Sequence, residues 1–200
     1  LRLSVIGTGY LGATHAACMA ELGFQVIGLD VDPAKIELLR TGTVPFYEPG
    51  LDEVLARNID AGRLSFTTSW QEVAEFADVH FICVGTPQAA GAQRADMSQV
   101  FGSVASLTPF LRPGALVVGK STVPVGTAVE IEAELAAHAA EGVEVAWNPE
   151  FLREGYAVAD TLHPDRLVYG LPDDLARGAV AKEILDECYA GPLAEGTPLV

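Results

Sequence analysis

The first thirty residues decide the fold, and they read LRLSVIGTGYLGATHAACMAELGFQVIGLD from Leu1 to Asp30. An apolar run at residues 3–6 leads into Gly-Thr-Gly-Tyr-Leu-Gly at positions 7–12. A stretch of small residues with helical character follows, and a second apolar run, Gln25–Leu29, ends in Asp30. A strand, a glycine-rich turn, a helix and a second strand in this order predict a βαβ unit with two parallel strands.

Each glycine of the turn has its own physical role. Gly7 permits the tight turn, Gly9 lets the backbone approach a pyrophosphate, and Gly12 lets the helix pack closely on the strand. The helix that begins here directs free N–H groups and the positive end of its dipole at the phosphates. The alternative is a glycine-rich turn used only for packing, which the register of strand, glycines, helix, second strand and acid disfavours. These residues therefore predict a dinucleotide site.

The acid at the end of the second run predicts which dinucleotide binds. Asp30 lies eighteen positions after Gly12, where a carboxylate accepts hydrogen bonds from the adenosine ribose and repels a 2′-phosphate. No arginine follows Asp30 immediately. We therefore predict NAD, and not NADP, as the cofactor.

The rest of the chain continues the alternation of short apolar runs and helical patterns. Further strands are predicted at residues 79–84, 115–118, 143–146 and 167–169, which are rich in Val, Ile and Leu. Strands that are apolar on both faces indicate a parallel sheet covered by helices on both sides. The predicted fold class is therefore α/β, a Rossmann-like doubly wound, mostly parallel sheet with helices on both faces.

Local signals mark several helix boundaries. Asp32, directly before a proline, is predicted to cap one helix, and Ser69 and Glu72 are predicted to form a capping box at the start of another. Residues 173–189 are predicted to form the last amphipathic helix, which Gly191-Pro192 should end.

Composition excludes several classes of function. The 27 acidic and 12 basic residues leave a net charge of −15, which repels nucleic acid and anionic lipid. No apolar run is long enough to span a bilayer. Cys18, Cys83 and Cys188 are too few and too scattered for a disulfide framework or a zinc site, and the four histidines are dispersed. We expect a cytoplasmic protein without a metal site.

Three loops follow the carboxyl ends of later predicted strands, where ligands bind in open α/β sheets. They cover residues 85–87, 119–127 and 147–155. Their Ser, Thr, Asn and Pro residues are also ordinary turn formers, and that alternative stays open for each loop taken singly. Glu150, Arg153 and Glu154 are harder to explain as turn residues, because charges beside a cofactor cleft are candidates for acid–base or substrate-orienting work.

Taken together with these loops, the sequence as a whole resembles the UDP-glucose/GDP-mannose dehydrogenases, and within that family the UDP-glucose 6-dehydrogenase branch. The resemblance runs in order from Ser4 to about Gly170. The stretches that carry it are GTGYLG at 7–12, YEPGL at 47–51, GTP at 85–87, KSTVPVGT at 120–127, NPEFLREG at 148–155 and HPDRL at 163–167. Leu11 stands where many members have valine, which is an apolar exchange.

The resemblance implies an enzyme that oxidises the C6 alcohol of a nucleotide sugar to an acid with two NAD molecules, here UDP-glucose to UDP-glucuronate. The reaction passes through a thiohemiacetal and a thioester on a cysteine. The residues carried over as cofactor-binding are Gly7, Gly9, Tyr10, Leu11 and Gly12 at the pyrophosphate, Asp30 and Lys35 at the adenosine ribose, Thr86 along the cofactor and Glu154 at its nicotinamide end. The residues carried over to the reacting sugar are Thr122 for its water network, Glu150 for proton transfer or thioester hydrolysis, and Phe151, Leu152 and Arg153 for the sugar side.

The same resemblance places the nucleophilic cysteine beyond residue 200. We expect residues 1–193 to form the NAD-binding domain, and residues 194–200 to begin the connection to a central helix and a C-terminal substrate domain. None of the three cysteines is a good substitute for that nucleophile, so we expect the chain alone to bind NAD without completing turnover. The full-length protein is expected to form a homodimer or a higher homo-oligomer.

Two other functions stay open at this level. One is a related dehydrogenase acting on GDP-mannose or a UDP-N-acetyl sugar, because recognition of base and sugar lies mostly outside these residues. The other is a non-catalytic NAD-binding sensor module, which the fold alone permits.

Overall fold

Six parallel strands form the sheet in the computed structural model, which describes residues 1–89, 91 and 94–200. The strands are β1 (Arg2–Ile6), β2 (Gln25–Leu29), β3 (Leu64–Thr67), β4 (Val79–Ile82), β5 (Leu116–Gly119) and β6 (Glu144–Trp147). The helices are α1 (Tyr10–Glu21), α2 (Pro33–Arg40), α3 (Leu51–Asp60), α4 (Trp70–Phe76), α5 (Ser98–Leu107), α6 (Thr127–His138), α7 (Ala157–Leu162), α8 (Leu175–Cys188) and α9 (Ala190–Ala194), with a 3₁₀ turn at Thr108–Phe110.

The strand order explains where a ligand can bind. The strands pair in the order β3-β2-β1-β4-β5-β6, with every neighbouring pair parallel. The order reverses between β1 and β4, so the loops after these two strands diverge and leave a crevice at the carboxyl edge. The predicted doubly wound α/β fold is confirmed.

The apolar strands divide the core into two layers. Successive side chains of a strand point to opposite faces, so that Val5 packs with α1, α3 and α8 whereas Ile6 packs with α4, α5 and α6. Phe81 and Ile82 of β4 separate in the same way. This two-sided burial is the reason why the strands are continuously apolar. Within the described residues, no helix has the length and apolar character that crossing a membrane requires.

One strand was missed from the sequence, and one predicted strand does not form. The edge strand Leu64–Thr67 was missed because it has four residues and exposes Ser65, so its signal is short and mixed. Residues 167–169 do not form a strand. The backbone of Leu167 bonds to Pro198 and Val200, while Gly170 bonds to Trp147, and these separate contacts do not build a continuous ladder.

The other boundaries agree with the sequence to differing degrees. The Asp32 carboxylate caps α2 by accepting the backbone N–H groups of residues 34 and 35. The Ser69 hydroxyl accepts the N–H of Glu72 at 3.2 Å, but the Glu72 carboxylate accepts the Thr67 hydroxyl, so only half of the capping box forms. Gly191-Pro192 does not end the last helix. The helix ends at residue 188, and the proline lies early in the short α9, where its missing N–H is tolerated.

Candidate cofactor and active site

Two of the three turn glycines are required by the protein itself. Gly7 has φ +88°, and a Cβ on it would lie 2.7 Å from Cγ1 of Val84. A Cβ on Gly12 would overlap the carbonyl oxygen of Gly7 and lie 3.1 Å from Cβ of Cys83. Gly9 differs, because a Cβ there would meet nothing within 4 Å. The open space above Gly9, at the start of α1, is therefore left for a ligand, as a pyrophosphate requires.

The ribose end of the crevice is built around the Asp30 carboxylate, which is buried. It accepts the N–H and the hydroxyl of Thr8 at 3.0 and 3.1 Å, the Lys35 ammonium at 2.8 Å and the N–H of Asp32 at 3.1 Å. Burial alone would raise the pKa of Asp30, but these hydrogen bonds outweigh burial and lower it. The carboxylate is therefore ionised and fixed before any ligand arrives.

These two ends belong to one crevice of about 700 Å³, a size that suits a cofactor. Its wall runs from Asp30 and Lys35 past Gly7 and Gly9 to the loop that follows β4. Trp70 also lines it. The side chain of Leu11 is partly buried and packs against the hydrophobic core. Of the predicted pyrophosphate and ribose residues, the structure brings Gly7, Gly9, Asp30 and Lys35 together in this crevice, whereas Tyr10, Leu11 and Gly12 are not among its lining residues.

The loops after β4 and β5 meet at the rim. The Thr86 hydroxyl donates to the backbone carbonyl of Thr122 at 3.0 Å, and the Ser121 hydroxyl donates to the carbonyl of Val84 at 2.6 Å. The Thr122 side chain is exposed, and among the residues that the structure describes its hydroxyl makes no hydrogen bond. That hydroxyl is free to contact a ligand.

Glu150 lies at the wall of a second, smaller cavity of about 180 Å³. Its Oε2 is 3.0 Å from the ammonium of Lys120, and its Oε1 accepts the N–H of Phe151 at 3.1 Å. Its side chain is 17% exposed, whereas that of Lys120 is 3% exposed. The Glu150 carboxyl group is fixed by these two contacts and lines the cavity, where it is within reach of a ligand or a water and is a candidate proton acceptor.

The residues predicted for the sugar side are partly engaged within the chain. Phe151 is half exposed and stacks under the guanidinium of Arg166, 4.6 Å from the ring centroid. Arg153 binds the carboxylate of Asp160 with two nitrogens at 2.6 and 3.0 Å. Leu152 is partly buried. The arginine therefore fixes the loop onto α7.

The sequence motif around residues 47–51 contains a role that sequence reasoning missed. Glu48 is buried and accepts the Tyr10 hydroxyl at 2.5 Å, the N–H of Gly155 at 2.9 Å and that of Ala157 at 2.8 Å. Burial, and then the hydrogen bond to Glu48, raises the pKa of Tyr10 to about 12. One carboxylate thus ties the turn of the cofactor site to the loop of Glu154, which is itself exposed. The only sequence signal was a lone acid among Pro, Gly and apolar residues.

The three cysteines are free and buried. Burial raises the pKa of Cys18, Cys83 and Cys188 to about 12, so each is a protonated thiol near neutral pH. None of these three thiols is an activated nucleophile. Within residues 1–89, 91 and 94–200, no group of His, Cys, Asp and Glu side chains is arranged to hold a metal ion.

A parallel sheet with a glycine turn, an ionised acid after β2 and a crevice between them defines a dinucleotide-binding domain. Residues 1–190 match the family described as the UDP-glucose/GDP-mannose dehydrogenase family, NAD binding domain, and the chain belongs to this family. The predicted resemblance and the predicted cofactor, NAD, are confirmed.

Relatives and solved structures agree with this assignment. The UDP-glucose 6-dehydrogenase of Pseudomonas aeruginosa is 44% identical over 95% of this chain and 42% of its own length. That of Rhizobium meliloti is 40% identical over 100% of this chain and 45% of its own. The structure of a UDP-glucose dehydrogenase from Pyrobaculum islandicum matches with a TM-score of 0.90 and 40% identity, covering 100% of this chain and 45% of that one. The chain therefore spans less than half the length of these relatives.

Proposed function

We propose that this chain is the NAD-binding portion of a UDP-glucose 6-dehydrogenase, which oxidises UDP-glucose to UDP-glucuronate with two NAD through a cysteine thioester. The observation that carries the proposal is the pairing of a cofactor crevice with Glu150, which contacts the Lys120 ammonium at the wall of the second cavity. The relatives named above as UDP-glucose dehydrogenases support the substrate, and the nucleophilic cysteine is proposed to lie outside residues 1–200.

In this function NAD, when bound, would supply the acceptor for a hydride from the substrate carbon. Asp30 accepts hydrogen bonds from the adenosine ribose, with Lys35 beside it, and the N–H groups at the start of α1 bind the pyrophosphate over Gly9. Tyr10 and Leu11 follow in that first turn. Thr86 would contact the cofactor along its length, and Glu154 would contact its nicotinamide end. The sugar side is formed by Phe151, Leu152 and Arg153.

Glu150 and Thr122 act on water in the proposed hydrolysis. The Thr122 hydroxyl orients the water, and Glu150 accepts its proton as the water oxygen bonds to the acyl carbon. The C–S bond then breaks with its electron pair on sulfur, which releases the acid and leaves a thiolate. Only Glu150 and Thr122 of this chain take part in that step.

The experiment is a turnover assay of the native protein with NAD and a panel of sugars. UDP-glucose is expected to give NADH at a kcat/KM at least tenfold above GDP-mannose and a UDP-N-acetyl sugar, whereas a reversed order would assign a related dehydrogenase. Thr122→Ala and Glu150→Gln are expected to slow turnover while NAD binding stays intact. If neither variant changes the rates, or if no sugar is oxidised, the sensor interpretation replaces the catalytic one.

Three further expectations belong to this proposal. We propose that residues 1–193 form the NAD-binding domain and that residues 194–200 begin the connection to a central helix and a C-terminal substrate domain. The full-length protein is a homo-oligomer, which size-exclusion chromatography with light scattering tests. A cytoplasmic location is supported by the free, buried cysteines.

A further inference from the structure

Lys120 follows β5 directly, and its ammonium is enclosed by three oxygen acceptors. Nζ lies 3.0 Å from Oε2 of Glu150, 2.9 Å from Oδ1 of Asn148 and 3.3 Å from the hydroxyl of Tyr189. The Tyr189 hydroxyl in turn donates to the same Asn148 oxygen at 2.5 Å. An ammonium has three donors, so every one of them is satisfied and the group is fixed in one position.

The charge of Lys120 is compensated by Glu150 alone among the described residues, since no other carboxylate lies in ion-pair contact with it. A buried ammonium without a partner is costly. Burial alone would lower the pKa of Lys120, but Glu150, followed by Tyr189 and Cys83, together outweigh burial, and the pKa lies above its usual value. The two side chains therefore form an ion pair whose cation is buried and whose anion reaches the cavity.

The other titratable groups on the interior side of this cavity carry no charge near neutral pH. Burial, and then the charge of Lys120, lowers the pKa of His15 on α1 well below its usual value. Burial raises the pKa of Cys18, Cys83 and Tyr189. Lys120 is consequently the one charged group that approaches Glu150 from the described interior.

On the open side of the cavity the charged groups are engaged or exposed. Arg153 and Asp160 pair with each other at 2.6 Å. Arg166 lies over the Phe151 ring, and Asp165 is exposed. These charges are screened by water, whereas the charge of Lys120 is not.

We propose that Lys120 is a positioning residue that holds one oxygen of Glu150 on its buried ammonium and keeps the carboxyl group directed into the cavity during turnover. This inference rests on the proposed function, in which Glu150 accepts a proton. The buried ammonium binds Oε2 of Glu150, while the N–H of Phe151 binds Oε1 and leaves lone pairs for a water. Lys120 itself touches neither substrate nor cofactor in this scheme.

The test measures the pH dependence of kcat, with NAD and UDP-glucose as substrates, for the native protein and for its Lys120 variants. In Lys120→Met the acidic limb of the profile is expected to move to higher pH by about one unit, which gives a roughly tenfold lower kcat on the acidic side and little change at high pH. KM for NAD is expected to stay within about twofold, since the ribose and pyrophosphate sites are separate. Lys120→Arg keeps a cation and is expected to restore most of the limb.

The controls separate this inference from the proposed function. Lys182→Met removes an exposed lysine that pairs with Asp186 on α8, and it should leave the profile unchanged. If Glu150→Gln turns over as fast as the wild type, the proposed role of Glu150 is wrong. If Glu150→Gln is slow but Lys120→Met keeps the wild-type limb, the Lys120 inference alone is overturned.

A measurement on the wild-type protein covers the case in which Lys120→Met does not fold. With ¹⁵N-labelled lysine side chains, the ammonium of Lys120 should remain protonated and protected from exchange above pH 10.4, the usual pKa of lysine at about 25 °C. A Lys120 signal that titrates with the exposed lysines, or exchanges as fast as they do, would refute the buried ion pair.

Discussion

Gly9 and Gly12 lie three residues apart in the same turn, yet alanine should have opposite consequences at the two positions. A methyl group on Gly12 would overlap the Gly7 carbonyl oxygen and lie 2.9 Å from its carbon. The first turn of α1 must then shift away from β1. A methyl group on Gly9 would meet no atom within 4 Å, and the backbone there is extended at φ −72°, which alanine adopts freely.

The magnitudes follow from these two surroundings. Gly12→Ala forces atoms into a packed backbone, which costs about 3 kcal/mol of unfolding free energy and lowers Tm by roughly 6–12 °C in a domain of this size. Gly9→Ala should change that free energy by less than about 0.5 kcal/mol. It should nevertheless weaken NAD binding, because the methyl group separates the phosphate from the N–H donors. Losing one charge-assisted hydrogen bond costs about 1.5–3 kcal/mol, or roughly a 10- to 150-fold higher Kd.

Thermal unfolding followed by circular dichroism tests the predicted stabilities of the two variants. Calorimetric titration with NAD on the same preparations tests their predicted affinities. The expected pattern is a stable Gly9→Ala that binds NAD poorly and a Gly12→Ala that unfolds early. A Gly9→Ala variant with wild-type NAD affinity would mean that the pyrophosphate lies elsewhere. A Gly12→Ala variant with wild-type stability would contradict the close contact between the helix and the turn.

Three further predictions concern buried charges and their partners. Lowering the pH from about 6.5 to about 4 should destabilise the protein by about 3 kcal/mol through His80, because burial lowers its pKa to about 4 and the unfolded chain binds the proton first. The free energy of unfolding of His80→Gln, measured in urea, should fall less over this pH range. Equal falls in the two proteins would contradict the assignment to His80. Glu48→Gln should cost about 2 kcal/mol, because each carboxylate oxygen accepts one backbone N–H, so the amide donor would face a backbone donor in either orientation, whereas Tyr10→Phe should cost about 1 kcal/mol. Equal values in chemical denaturation would argue against those backbone contacts. Asp30→Ala should weaken NAD binding and reduce the preference for NAD over NADP, because Lys35 remains while the carboxylate that repels a 2′-phosphate is gone. Titrations with both cofactors measure the two dissociation constants, and an unchanged ratio of these constants would contradict the role of Asp30.

The two strands that were predicted wrongly from the sequence have separate physical causes. Four residues at the edge of a sheet, as in Leu64–Thr67, carry too short a pattern to be recognised as a strand. At residues 167–169 the pattern was correct for an extended chain. Whether such a segment joins a strand ladder depends on which backbone groups lie opposite it. Here the N–H and C=O groups opposite belong to residues 198–200 and to Trp147.

By itself, the sequence determined the parallel α/β fold, the turn at Gly7–Gly12 and the acid at Asp30, because these features depend on neighbours along the chain. Strand period, glycine spacing and a short crossover act over about thirty residues, where order in the sequence fixes order in space. The tertiary structure decided the contacts between distant loops. Lys120 meets Tyr189 across 69 positions, and Glu48 meets Gly155 across 107 positions. Such pairs depend on strand order and helix packing, which no local pattern encodes.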